Sequence, residues 1–155
     1  MPLRYVADLK PPSDGVLASQ GWLQLDAEDS ESFDTVLKPL LVRPAGEGQA
    51  EAWIETGTLT RNVTGGLHGG FLASVAEQTL FLPLFTGGRI TRGGVVTIDF
   101  TVQYLASGAV DMPIVAHVEL LRETGRLAFV RGQLVQNAVS ITAYTGTLRK
   151  LTNRS

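Results

Sequence analysis

The stretch that most limits what this chain can become is NVTGGLHGGFLASVAEQTLFLPLF, residues 62–85. It sets four glycines and a histidine in and before a strongly apolar run whose one charged side chain is Glu77. A helix lying on a protein surface carries a polar stripe of charged residues. Between Phe71 and Phe85 only Glu77 ionises, with Ser74, Gln78 and Thr79 as polar company, so this helix is expected to be covered on nearly every side. A carboxylate in such surroundings is costly to desolvate unless it is paired, hydrogen-bonded or protonated, and groups held that way gather at functional sites. A glutamate facing a wet seam is the plainer account of the same pattern. The start of the helix tips the balance.

Residues 65–70, GGLHGG, let the backbone come close to a ligand and leave the first helical N–H groups free, which makes an anion or oxyanion site. Taken alone, the glycines are more commonly explained by a tight turn and close helix packing. Glu77 lies eight residues beyond Gly69. At roughly 1.5 Å rise per residue the two are separated by about 12 Å, too far to serve one carbonyl from the same helix. Acting together, they require two helices running antiparallel across a two-fold axis, which predicts a homodimer with a site shared between subunits.

The rest of the chain supplies a sheet. With 155 residues and 44% hydrophobic side chains it can bury one sizeable core. TVLKPLLVRP, ending at Pro44, and QAEAWIET, starting at Gln49, flank a Gly-containing turn and read as a hairpin. The helix is expected from about Gly69 to Leu82, stopping near Pro83 with Gly87-Gly88 just beyond. In VVTIDFTVQYL, Val96, Ile98, Phe100, Val102 and Tyr104 alternate with Val95, Thr97, Asp99, Thr101 and Gln103, which predicts one core face and one polar face. MPIVAHVELL and RLAFVRGQLVQ flank the turn Arg122-Glu123-Thr124-Gly125, and AVSITAYTGTLRKL follows. Strand, strand, helix and four strands make an α+β antiparallel sheet around one long central helix, not a doubly wound parallel sheet. Residues 1–36, with Pro11-Pro12, Asp14-Gly15 and an acidic patch from Asp26 to Glu31, read as an irregular arm with room for one short helix, and residues 37–155 as the single folded domain.

Several function classes fall away. Thirteen basic against fifteen acidic residues give no field for a polyanion, so nucleic acid is not an expected partner. Without cysteine there is no disulfide framework, thiolate zinc site or cysteine nucleophile, which suits a reducing cytoplasm. The N-terminal stretch lacks the apolar core of a signal peptide and no segment approaches a membrane span, so a cytoplasmic chain with no membrane partner is expected. The two histidines, His68 and His117, have no metal-ligand spacing, and His117, alternating with Glu119, reads as a surface residue. No G-x-S-x-G elbow, P-loop or G-x-G-x-x-G turn is present.

Asn62, then five residues, then His68-Gly69-Gly70, then an apolar helix whose acid stands nine residues past the histidine, resembles the hotdog-fold acyl-CoA thioesterases of the PaaI and 4-hydroxybenzoyl-CoA thioesterase type. The similarity spans roughly residues 39–151, order of elements included. It implies an antiparallel sheet wrapped round the long helix, and Glu77 as catalytic carboxylate, either general base for water or nucleophile on the thioester carbonyl. By the same resemblance the Gly69 N–H donates to the carbonyl oxygen beside Gly70, His68 shapes the turn, and Asn62 stands near the water or thioester. Arg89, Arg92, Arg122 and Arg126 become candidates for the coenzyme A phosphates. The acyl group would lie near Phe71, Phe81 and Phe85. Phe81 stands four residues past the acid, where some members place a hydroxyl, and Gln103 replaces the Asn common before Tyr104. Such chemistry needs a positioned base and an oxyanion donor, with no metal or other cofactor. The implied partners are an acyl-CoA substrate and a second copy of the chain, as a homodimer or as a homotetramer built of two dimers. A non-catalytic hotdog module binding acyl-CoA or a related acyl ligand is the alternative, and it has no need of a carboxylate aimed at the scissile carbonyl.

Overall fold

The computed structural model describes residues 21–26, 31–37 and 40–152. The first twenty residues of the expected arm and most of its acidic patch lie outside the described residues. In chain order the elements are β1 (Leu23–Leu25), α1 (Asp34–Leu37), β2 (Leu40–Gly46), β3 (Gln49–Ile54), a 3-10 turn (Thr58–Thr60), α2 (Gly69–Thr79), α3 (Leu82–Thr86), β4 (Val95–Tyr104), β5 (Ile114–Glu123), β6 (Leu127–Gln136) and β7 (Val139–Lys150). The strands form one antiparallel sheet in the order β1-β2-β3-β5-β6-β7-β4. It curls around α2, as the order of patterned segments predicts. Leu72, Val75, Ala76 and Leu80 on the helical side meet Val42, Ala52, Ala116, Val130 and Leu148 from the strands in one core.

Four local features differ from the sequence expectation. The residues read as the start of the first hairpin strand, Thr35 to Leu37, form α1 instead, and the strand begins at Leu40. A strand inside the stretch taken as an irregular arm, β1, pairs along β2. Pro83 does not end the helical path. It sits in the first turn of α3, where a missing N–H costs nothing, so the chain breaks at Leu80–Phe81 and turns again.

The fourth difference matters most for the site. A bulge lies between Thr97 and Asp99 of β4, where Thr97 pairs with Leu148 and Asp99 with the adjacent Thr147. One extra residue reverses the alternation. Before it Val95 and Thr97 face inward, after it Phe100 and Val102 do, and Val96 and Ile98 are left exposed. The single core face expected over Val96 to Tyr104 is therefore split.

The C-terminal turn of α2 is pinned to the sheet. Thr79 donates its hydroxyl to the Ala76 carbonyl at 2.9 Å, so the Tyr144 hydroxyl, 2.5 Å away, donates to Thr79. Burial pushes the Tyr144 phenol well above its ordinary range, which keeps that proton in place. Gly132 makes room for the ring: a Cβ there would stand 2.3 Å from Tyr144 Cζ.

Candidate active site

The glycine turn is built from several sides. His68 caps α2: its Nδ1 accepts from the Gly70 N–H at 2.9 Å, so the neutral imidazole carries its proton on Nε2. Asn62 Oδ1 accepts from the Thr64 N–H, the Thr64 hydroxyl and the Gly66 N–H, while its Nδ2 donates to the Leu67 carbonyl. Asn62 thus spends both ends of its amide on the turn. The Leu67 N–H donates to the Gly108 carbonyl at 3.0 Å, tying the turn to the loop after β4. Gln136 fixes that loop, accepting from the Ala109 N–H and donating to the carbonyls of Ala109 and Met112.

Tyr104, at the end of β4, donates its hydroxyl to the Gly69 carbonyl at 2.8 Å. A Cβ on Gly69 would meet the Tyr104 ring at 3.3 Å, so the close approach favours glycine. Among the described residues no acceptor meets the Gly69 N–H, one of the orphan donors of a helix start.

Two turns along, Glu77 accepts a hydrogen bond at Oε1 from the Thr97 hydroxyl, 2.6 Å away. The bulge in β4 puts Thr97 inward beside it. Glu77 lines two cavities. One, of about 400 Å³, lies between α2 and β4 with Phe81, Val95, Leu148, Asp34 and Arg92 among its walls. The other, of about 260 Å³, is lined by Phe33, Ala73, Ser74 and Gln78 besides Glu77.

Of the residues picked out by the sequence, Asn62, His68, Gly69 and Gly70 meet at the turn, and Glu77, Phe81 and Arg92 meet at the larger cavity. Arg92 stands 3.8 Å from the Asp34 carboxylate and donates to the Asp26 carbonyl. Arg89 pairs with Glu123, whose carboxyl also binds Lys150. The Lys150 hydrogen bond, with help from Arg89, outweighs partial burial and holds Glu123 below the ordinary carboxylate range. Arg122 and Arg126 are exposed near the β5–β6 turn, and neither lines a Glu77 cavity. Thr97, Tyr104, Gln136, Phe33 and Asp34 were not singled out in the sequence as site residues. A bulge, a strand end and a single helical turn leave no periodic signature to find them by.

His117 is not the surface residue its alternation suggests. Its side chain is 11% exposed and its Nδ1 lies 3.4 Å from Glu51 Oε1. Arg43 holds the other oxygen of Glu51 through Nε at 2.8 Å and through its second nitrogen at 2.7 Å. Burial drives the Glu51 carboxyl upward, but hydrogen bonds from His117 and Arg43 win and leave it below its ordinary value. This cluster lies on the sheet face turned away from α2. A hollow of about 520 Å³ on that face is edged by His117, Glu119, Arg131 and Gln133, and neither Glu77 nor the glycine turn lines it.

A sheet wrapped round one helix, with a glycine turn at the helix start and a carboxylate in its second half, is the hotdog fold of the thioesterase superfamily. Residues 54–149 match the family model of the acyl-CoA thioesterase N-terminal domain, and the chain belongs to that family. Solved structures share the fold. A mutant of the phenylacetic acid degradation protein PaaI from Thermus thermophilus is 20% identical over 89% of this chain and 100% of its own, with a TM-score of 0.60. A hypothetical thioesterase with coenzyme A from Streptococcus pneumoniae is 18% identical over 74% of this chain and 88% of its own, with a TM-score of 0.63. PaaI of the E. coli phenylacetic acid degradation operon is 16% identical over 68% of this chain and 75% of its own, with a TM-score of 0.60. Among curated protein sequences none matches this chain.

Proposed function

We propose that the protein is an acyl-CoA thioesterase in which Glu77 is the general base and the Gly69 N–H of a partner subunit polarises the carbonyl. The observation that carries this reading is Glu77 itself, held by Thr97 at the wall of two cavities in a helix with no other charge. Family membership and a solved hotdog thioesterase with coenzyme A agree with it. Water attacks the thioester carbon as Glu77 takes its proton, and charge grows on the carbonyl oxygen facing the N–H. The tetrahedral intermediate then collapses, the C–S bond breaks, and the thiolate of coenzyme A leaves to take up the proton. His68 and Tyr104 hold the turn that presents the N–H, and Asn62 sets its shape.

The shared site is part of the same reading. β4 is a ten-residue strand at the edge of the sheet, with Ile98 and Tyr104 each 54% exposed and with Leu59 and Val63 fully exposed nearby in sequence to the helix start. Among the described residues no strand pairs with its outer edge, and an edge of that length is a template for another strand. Two copies paired through β4 would run their α2 helices antiparallel and bring each Glu77 toward the other's turn. The exposed Arg122 and Arg126 remain open to coenzyme A phosphates from one side of the pair, with Arg89 and Arg92 held by carboxylates.

The test is hydrolysis of short, medium, long and aromatic acyl-CoAs, read by thiol release, for the native protein and Glu77→Ala. Turnover that falls by about a thousandfold while the dimer persists supports the enzyme. Retained acyl-CoA binding with no turnover in either protein points instead to a binding module. Single turnover in heavy-oxygen water separates base from nucleophile, since label entering Glu77 would require a covalent intermediate. A stable monomer in light scattering overturns the shared site.

A further inference from the structure

The α1 segment stands across Glu77. Successive residues of it wall the two cavities, Phe33 the smaller and Asp34 the larger, with Glu77 and Gln78 common to both. The segment is held in place: Leu37 is 3% exposed in the core, Asp34 faces Arg92, and the Thr35 hydroxyl and Val36 N–H fold the turn back onto Ser32 and Phe33. Phe33 nonetheless keeps 62% of its surface exposed. It shares the smaller cavity with Ala73 and Ser74, two of the smallest side chains on α2. A phenyl on an anchored segment, beside small residues and a carboxylate, is a place for an apolar group. Glu77 puts a negative charge on both cavities, and Arg92 on the neighbouring wall already faces Asp34, so a second carboxylate on the acyl group is disfavoured there.

Resting on the thioesterase reading, we propose that Phe33 sets the acyl specificity: the substrate carries an uncharged, apolar acyl group whose far end packs under the Phe33 ring. Removing the ring uncovers apolar surface beside Ala73 and Ser74 against which a longer chain can be buried. Enlarging it shortens the chain that fits.

The experiment compares the native protein, Phe33→Ala and Phe33→Trp in hydrolysis of a saturated acyl-CoA series and one dicarboxylic acyl-CoA. In parallel, non-hydrolysable thioether analogues of the series are titrated by calorimetry. Phe33→Ala is expected to raise the kcat/KM ratio of long to short chains by about tenfold for two added methylenes, and Phe33→Trp to lower it. The dicarboxylic substrate is expected to be the poorest of its length. If the native protein hydrolyses acyl-CoAs and both variants keep its chain-length ranking, the assignment of Phe33 is overturned and the thioesterase reading stands. If nothing is hydrolysed but the analogues bind with a ranking that moves with residue 33, the acyl site stands and the enzyme reading fails. Absence of both binding and turnover overturns the two together.

Discussion

Thr97 donates its hydroxyl to Glu77 Oε1 at 2.6 Å, and it does so because a bulge in β4 turns residue 97 toward α2. A base that must take a proton from a water in one direction benefits from a carboxylate that cannot rotate. A hydrogen bond to a charged acceptor is worth about 1.5–3 kcal/mol. On the proposed mechanism Thr97→Val is therefore expected to lower kcat by about ten- to a hundredfold with KM little changed. Thr97→Ser, which keeps the hydroxyl, is expected to recover most of the loss. Steady-state kinetics on one acyl-CoA decides it, and an unchanged kcat in the valine variant would remove Thr97 from the mechanism.

Tyr104 acts on the other half of the site. Its hydroxyl fixes the Gly69 carbonyl, and its ring lies against the Gly69 backbone. Tyr104→Phe keeps the ring and loses one neutral hydrogen bond, about 1 kcal/mol. A fall in kcat of about fivefold is expected, while Gly69→Ala, crowding the ring at 3.3 Å, falls further. Light scattering on both variants checks whether the proposed dimer is kept, since Tyr104 also lies on the exposed edge strand.

Much of the architecture was legible because periodicity reports long elements well. The longer strands and α2 extend far enough to show their period, and the order of segments favours an antiparallel sheet over a parallel one. What escaped is local. Pro83 reads as a stop, yet the missing N–H is harmless in the first turn of α3, so only the packing of Leu82 and Leu84 shows that a helix resumes. The Val96-to-Tyr104 alternation is real in the sequence, but a one-residue bulge cancels it, and nothing in VVTIDF marks where the extra residue sits. His117 alternates with Glu119 and so reads as a surface residue, but its side chain is mostly buried beside Glu51, which Arg43 also holds, both from strands far from it in sequence. The site was legible in the same uneven way. Glu77 and the glycine turn stand out by composition, whereas Thr97, Tyr104 and Phe33 matter only through contacts the fold creates.

The core offers a test that does not depend on function. A Cβ on Gly132 would lie 2.3 Å from Tyr144 Cζ, and Tyr144 is locked by its bond to Thr79, so the ring has nowhere to move. Gly125, in the β5–β6 turn, has nothing within 4 Å of the same added atom and no positive φ. Gly132→Ala is expected to cost about 3 kcal/mol or more, and Gly125→Ala close to nothing. Urea denaturation of both variants reads the contrast, and equal midpoints would mean that the Tyr144 packing is wrong.

Acid sensitivity should trace in part to Glu51. Its carboxyl is held below the ordinary value of about 4.3 by His117 and Arg43 despite burial. A depressed carboxylate contributes stability that is fully present above the unfolded value and is lost as pH falls through the folded one. The native protein is therefore expected to lose stability below about pH 4.3, and Glu51→Gln to lose part of that acid limb. At neutral pH the same variant leaves Arg43 without its partner. Arg43 keeps 21% of its side chain in solvent, so the cost is expected at about 2 kcal/mol, under the range for a fully buried pair. Glu123, depressed by Lys150 and Arg89, has the same sign and survives in the variant, so the acid limb is expected to flatten without vanishing. Chemical denaturation of both proteins from neutral pH to below the carboxylate range reads it. Parallel curves, offset but equal in slope, would show that Glu51 is ionised no more readily in the folded chain than in the unfolded one.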